Sequence, residues 1–164
     1  MVRGTIELQG ETAIIAKLEG LDLALKHNKR LMGIIGNYIK LQTLKRVSRG
    51  VDADGVPMVE YSKLYAAKRK KAGLPTGKVD LFWTGSMTAS LTYVPLDGVV
   101  RLYFMDTTDK FGMRNPKKAY FIQTHKKKPR HFFAISMKDI TAIERVVNDY
   151  VDRYLRKVVI SGSK

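Results

Sequence analysis

Polar and apolar residues alternate at the start of the chain. Over residues 2–9, Thr5, Glu7 and Gln9 are interleaved with Ile6 and Leu8, the period of two expected of a half-buried strand, and Gly10 ends it. Residues 11–49 then take a helical pattern, in which Gly20 is predicted to punctuate a short first helix. In the long helix that follows, Leu31, Ile34, Ile35, Tyr38 and Leu41 fall on one buried stripe. Gly33 and Gly36 each cost this helix about 1 kcal/mol relative to alanine, which close packing of a neighbouring backbone would explain. Asp52, Asp54 and Gly55 form a turn cluster, and Pro57 stops any continuation.

A brief helix capped by Ser62 is expected next, followed by a flexible basic loop over residues 68–78 that contains Gly73 and Pro75. Residues 86–94 read as a helical turn running into a strand at Leu91. Pro95 and Asp97-Gly98 mark a turn, and residues 99–105 complete a hairpin. Residues 119–123 fit either a strand or a short helix. Ser136 with Asp139 makes a capping-box-like start for a C-terminal helix whose stripe is Ile140, Ile143, Val147, Tyr150, Val151 and Tyr154. Arg153, Arg156 and Lys157 suit the negative end of its dipole, and residues 161–164 are expected to fray. At 164 residues this is one domain, residues 1–164.

Charge changes the picture more than composition does. Thirty Lys and Arg against fifteen Asp and Glu leave +15, a field that favours anionic partners. Seven of those cations lie between Lys26 and Arg49 with no acid among them, as a solvated helix face or as a contact stripe. Two further clusters are candidate partner or subunit interfaces: Lys68, Arg69, Lys70 and Lys71, and then Lys126, Lys127, Lys128 and Arg130. The absence of cysteine excludes thiol catalysis, Cys-type zinc sites, iron–sulfur clusters and disulfides. No apolar run approaches the ~18 residues of a membrane span and no secretory signal is visible, so a chain made in the cytoplasm, with no membrane partner, is expected.

Candidate chemistry is sparse. His27, His125 and His131 have no carboxylate or second histidine at a ligating or relay spacing. Asp52 with Asp54, and Asp106 with Asp109, could serve a metal-dependent nuclease, but both pairs sit among turn residues where aspartate caps backbone N–H groups. The string from Gly73 to Lys78 lacks the preceding strand and the following Ser or Thr of a phosphate loop. No catalytic residue, cofactor or metal site is expected. Basic runs interleaved with Tyr61, Tyr65, Tyr120, Phe121, Phe132 and Phe133 keep a nucleic-acid-binding module open as an alternative. Leu81, Phe82, Trp83, Phe132 and Phe133 are candidate core anchors, each worth about 1.5–3 kcal/mol if buried.

The order of several short motifs is more specific than any one of them. Asp54-Gly55, Tyr61-Ser62 with Tyr65-Ala66 and Lys68, Val79-Asp80-Leu81 with Thr84-Gly85, Met87 and Ser90-Leu91, Ala119-Tyr120, and the run from Pro129 to Phe133 follow one another in the chain. This succession, across about residues 20–155, resembles the tail-completion (virion-morphogenesis or neck) proteins of tailed bacteriophages. The resemblance implies an α+β fold, with an antiparallel sheet packed against a long N-terminal helix and a C-terminal amphipathic helix. It also implies a structural, non-enzymatic role in the virion. The expected partners are copies of itself in a ring, a hexamer by this resemblance, together with other neck, connector and tail-tube proteins and passing DNA.

Overall fold

The computed structural model describes residues 3–9, 13–19 and 27–161, with side chains described from residue 27 onward except 155 and 157–161. Helix α1 (Lys29–Arg49) starts where the Asn28 side chain accepts the Leu31 N–H at 3.0 Å, satisfying one of the donors a helix start leaves free. Its buried row is Leu31, Ile35, Ile39, Thr43 and Val47, at steps of four. The expected stripe is therefore rotated: Ile34 is 40% and Leu41 53% exposed, while Ile39 and Val47 are buried. The helix lies on the sheet along its i, i+4 ridge, and polar Thr43 in that row hides it from a hydrophobicity pattern.

Four antiparallel strands form the sheet in the order β1-β2-β4-β3: β1 (Arg3–Gln9), β2 (Ala13–Glu19), β3 (Leu91–Leu96) and β4 (Val99–Phe104). Strand β2 corrects the expected short first helix. Its consecutive Ile14 and Ile15 are β-branched, and it pairs on both sides, Leu8 opposite Ile14 on β1 and Ile14 opposite Leu102 on β4. Gly20 and the rest of that expected helix lie outside the described residues. The β3–β4 hairpin turns at Asp97-Gly98, with Leu96 opposite Val99. Pro95 belongs to β3 rather than to the turn, as an edge strand allows.

Helix α2 (Lys63–Lys71) has Ser62 as its cap, α3 (Ser86–Ala89) is a single turn, and α4 (Asn115–Gln123) settles the strand-or-helix alternative, with Pro116 in its first turn. Helix α5 (Met137–Ser161) opens with the reciprocal bonds of a capping box: Ser136 Oγ accepts the Asp139 N–H at 3.2 Å, and the Asp139 carboxylate accepts the Ser136 N–H at 2.9 Å. Asp139 also pairs with Arg46 near the end of α1, and Asn28 donates to the Tyr150 hydroxyl at 2.9 Å near its start, so the two helices run antiparallel. Ile143 and Val147 are buried as expected, but Tyr154 is 57% exposed because α5 runs on beyond the start of α1. Ser161 is helical, and residues 162–164 lie outside the described set.

The result is an α+β fold in which α1 lies across β3 and β4, and α5 lies against α1. Phe132 and Phe133 are buried beside Phe104, with ring centroids 6.2 and 4.9 Å from it. Among the described residues no helix is long and apolar enough to cross a membrane.

Gly36 is where α1 meets β3. A Cβ built there would lie 2.8 Å from Cγ of Tyr93, so the close neighbour is an aromatic side chain rather than the expected backbone. At Gly33 a Cβ meets nothing within 4 Å. Gly36→Ala is expected to destabilise the fold by about 1–3 kcal/mol through overpacking, whereas Gly33→Ala should stabilise it by up to about 1 kcal/mol. Urea unfolding of the two variants checks this contrast.

Candidate functional site

Tyr61, Tyr65 and Arg69 recur at steps of four through α2 and its N-terminal flank, which places them on one face. Their partners come from the loop after the helix. Arg69 is fully buried: Nε donates to the Pro75 carbonyl at 2.9 Å, one terminal nitrogen to the Phe82 carbonyl, and the other to Asp80 at 2.8 Å. Its guanidinium carbon stands 4.6 Å from the Tyr61 ring centroid. Arg69 is therefore no interface residue but the clamp that folds residues 72–82 onto α2. Lys68, Lys70 and Lys71 are exposed and belong to the helix, so the run expected to open a loop at residue 68 is its last turn.

The loop closes round Asp80 and Tyr61. The Tyr61 hydroxyl donates to Asp80 at 3.3 Å and accepts the Leu81 N–H at 3.1 Å, while Asp80 accepts the Phe82 N–H at 3.0 Å. Burial pushes the Tyr61 phenol up to about 12, with Arg69 opposing the rise. These bonds hold Leu81 at φ 53°, a left-handed conformation that costs a branched side chain about 1–2 kcal/mol. The chain then turns outward. Phe82 is 45% exposed and folds over Gly85, whose positive φ and close approach to that ring leave no room for a Cβ. Leu81 and Trp83 are half-buried, so of the expected core anchors only Phe132 and Phe133 occupy the buried core.

What Leu81 and Trp83 line instead is an open cavity of about 740 Å³ between α2, α3 and α4. Met87, Met113 and Ile122 complete its apolar wall, and Trp83 packs on Tyr65 with centroids 5.6 Å apart. Lys68, Lys118, His125, Lys128 and Arg130 stand round it. Arg130 is half-buried and donates to the carbonyls of Val59 at 3.0 Å and Glu60 at 3.2 Å, and its guanidinium also lies over Tyr61, 5.3 Å from the centroid. Burial lowers its proton affinity below the usual arginine value. Lys128 reaches the Glu60 carbonyl at 3.3 Å, while Lys126 and Lys127 are exposed.

Three of the four paired aspartates, Asp52, Asp106 and Asp109, are engaged locally. Asp52 accepts the N–H groups of Asp54 and Val56, and Asp109 those of Phe111 and Met113. Asp109 also pairs with Lys118, and Asp106 with Arg114. Hydrogen bonds from those cations hold both carboxyls below the usual carboxylate range. Among the described residues no cluster of three His, Asp or Glu is placed to hold a metal ion. His27 faces Asp97 at 3.5 Å, and the His125 ring accepts the N–H groups of Lys127 and Lys128. Lys78, at the end of the glycine-containing string, donates to the Ser48 carbonyl at 2.6 Å. In α1, Arg46 is withdrawn from the basic stripe into its ion pair with Asp139.

No protein-family model, curated protein or solved structure matches the chain.

Removing either member of the Arg69–Asp80 pair leaves the other charge buried and unpaired. Arg69→Met and Asp80→Asn are each expected to cost about 3 kcal/mol or more in denaturant unfolding. Tyr61 adds an alkaline signature. Its folded pKa lies above the unfolded value of about 10, so the contribution of its neutral phenol is complete below that pH and is lost as pH rises towards 12. Burial also raises the Tyr38 phenol, so ultraviolet titration should show more than one late-ionising tyrosine, and Tyr61→Phe should remove the step that approaches pH 12.

Proposed function

We propose that the chain is a structural virion protein that forms a ring at the neck or tail terminus of a tailed phage and joins or completes the tail during head–tail assembly. The motif order supports this reading, as does the agreement between the implied α+β architecture and the fold. The observation that carries it is the face round the cavity. Phe111 is 68% exposed and Phe121 50%, with Met113, Tyr120 and Tyr65 partly exposed nearby. A contiguous apolar face of this kind marks a surface that another protein covers. Besides the two different edges by which copies meet in a cyclic ring, a protein that joins or completes the tail needs a face for the neighbouring neck or tail protein, and this apolar face is suited to that contact. The exposed Lys68 stands on the rim of this apolar face, and Lys126 and Lys127 are exposed between its lining residues His125 and Lys128 in the chain.

A second reading, a nucleic-acid-binding module, draws on the proximity of Tyr65 and Trp83 to Lys68, Lys128 and Arg130. It requires oligonucleotide binding that weakens steeply with salt.

Imaging of virions is expected to resolve this chain as a closed collar at the head–tail junction or on the tail end. Particles assembled without it should accumulate as unjoined heads and incomplete tails, and supplying the chain should rescue them. A chain that stays monomeric and never enters particles would contradict the proposal.

A further inference from the structure

The cavity separates its apolar and charged parts. Its half-buried polar wall groups are engaged, the Tyr61 hydroxyl with Asp80 and Leu81 and Ser86 Oγ with Asn115, while the exposed Ser62 and Thr84 oxygens accept the Tyr65 and Ser86 N–H groups. The floor therefore offers aliphatic, thioether and aromatic surface and little to read the polar edge of a base. Methionines at Met87 and Met113 make that surface adaptable to the shape of an inserted side chain.

The rim is unbalanced in charge. Among the described lining residues Asp109 is the one carboxylate, and it is neutralised by Lys118 and two backbone N–H groups. Lys128 and Arg130 bond only to carbonyl oxygens in the described structure, and Lys68 is exposed. A half-buried guanidinium held by carbonyls keeps its full charge beside apolar surface, where an incoming carboxylate would be attracted with little screening.

We infer that this groove docks an acidic segment of a partner protein, with one large apolar side chain seated against Trp83, Met87 and Met113 and flanking carboxylates on Lys68, Lys128 and Arg130. The inference rests on the reading of this face as a protein contact and names the chemistry of the partner. Charge complementarity selects that occupant. A second copy would bring its own surplus of +15, and the exposed end of its last helix sets Arg153 and Arg156 beside Asp149 and Asp152, a balanced rather than an acidic segment. Single-stranded nucleic acid would match the cations and could stack on Tyr65 and Trp83, but a base seated deeper, against Met87 and Met113, would bury polar edges that this apolar surface leaves unpaired.

The test uses the whole chain and a short peptide with one phenylalanine between glutamates, followed by the emission of Trp83, the single tryptophan. Saturable binding at low salt is expected. It should weaken about tenfold or more when the phenylalanine is replaced by alanine, and be lost when the glutamates are replaced by lysines. Phe121→Ala and Lys128→Gln, both at accessible positions, should each weaken it severalfold while leaving thermal unfolding near that of the parent. No saturable binding would overturn the inference. So would equal binding of the alanine peptide, tighter binding of oligothymidylate, or self-association that the same two variants abolish and the peptide leaves intact. Binding without a collar in virions would remove the assembly reading alone. A collar with no peptide binding would remove this inference alone.

Discussion

A guanidinium cut off from water must find a partner for its charge and its donors. Arg69 meets that demand by gathering the chain around itself: two carbonyls, one carboxylate and one aromatic face converge on it from three stretches of sequence. The loop after α2 has no strand or helix of its own, and its path is set by these bonds. Leu81 in its left-handed conformation and the outward course of Phe82 and Trp83 both follow. Without the clamp the groove loses one fixed wall, because Leu81 and Trp83 stand on that loop.

The two functional proposals share an electrostatic logic. Most acids near the groove are committed to turns or to lysine and arginine partners, so the positive surplus is left to surfaces another molecule can reach. Carboxylates pinned in this way are poor bases and poor metal ligands, because their lone pairs and charge are already satisfied. An apolar floor beside unmatched cations is instead suited to recognition. Meanwhile α1, stapled to α5 at both of its own ends by Arg46–Asp139 and Asn28–Tyr150, lies across β3 and β4.

Features set by neighbouring residues were legible in the sequence. The Ser136–Asp139 box, the Ser62 cap, the turn-capping aspartates and the Asp97-Gly98 hairpin each depend on side chains that reach only a few residues along the chain. Features set by distant partners were not. Ala13–Glu19 becomes a strand because β1 and β4 flank it, and the buried row of α1 is chosen by the sheet beneath it. Arg69 was hidden among Lys68, Lys70 and Lys71, since nothing local separates a buried cation from three exposed ones. The spacing of Tyr61, Tyr65 and Arg69 was the one available signal, and Asp80 gives it meaning only after the loop has closed. Leu81, Phe82 and Trp83 resemble core for a related reason: a groove wall and a core have the same composition and differ in what covers them.

Trp83 offers the most direct measurement of whether the Arg69 clamp builds the groove. Its emission and its quenching by acrylamide should be followed in the parent chain and in Arg69→Met, at a temperature where circular dichroism shows that both retain native helix and sheet. The account predicts red-shifted emission and stronger quenching in the variant, as the released loop lifts Trp83 off Tyr65 into water. An unchanged spectrum and unchanged quenching in a folded Arg69→Met protein would contradict it, for the groove would then hold its shape without the clamp.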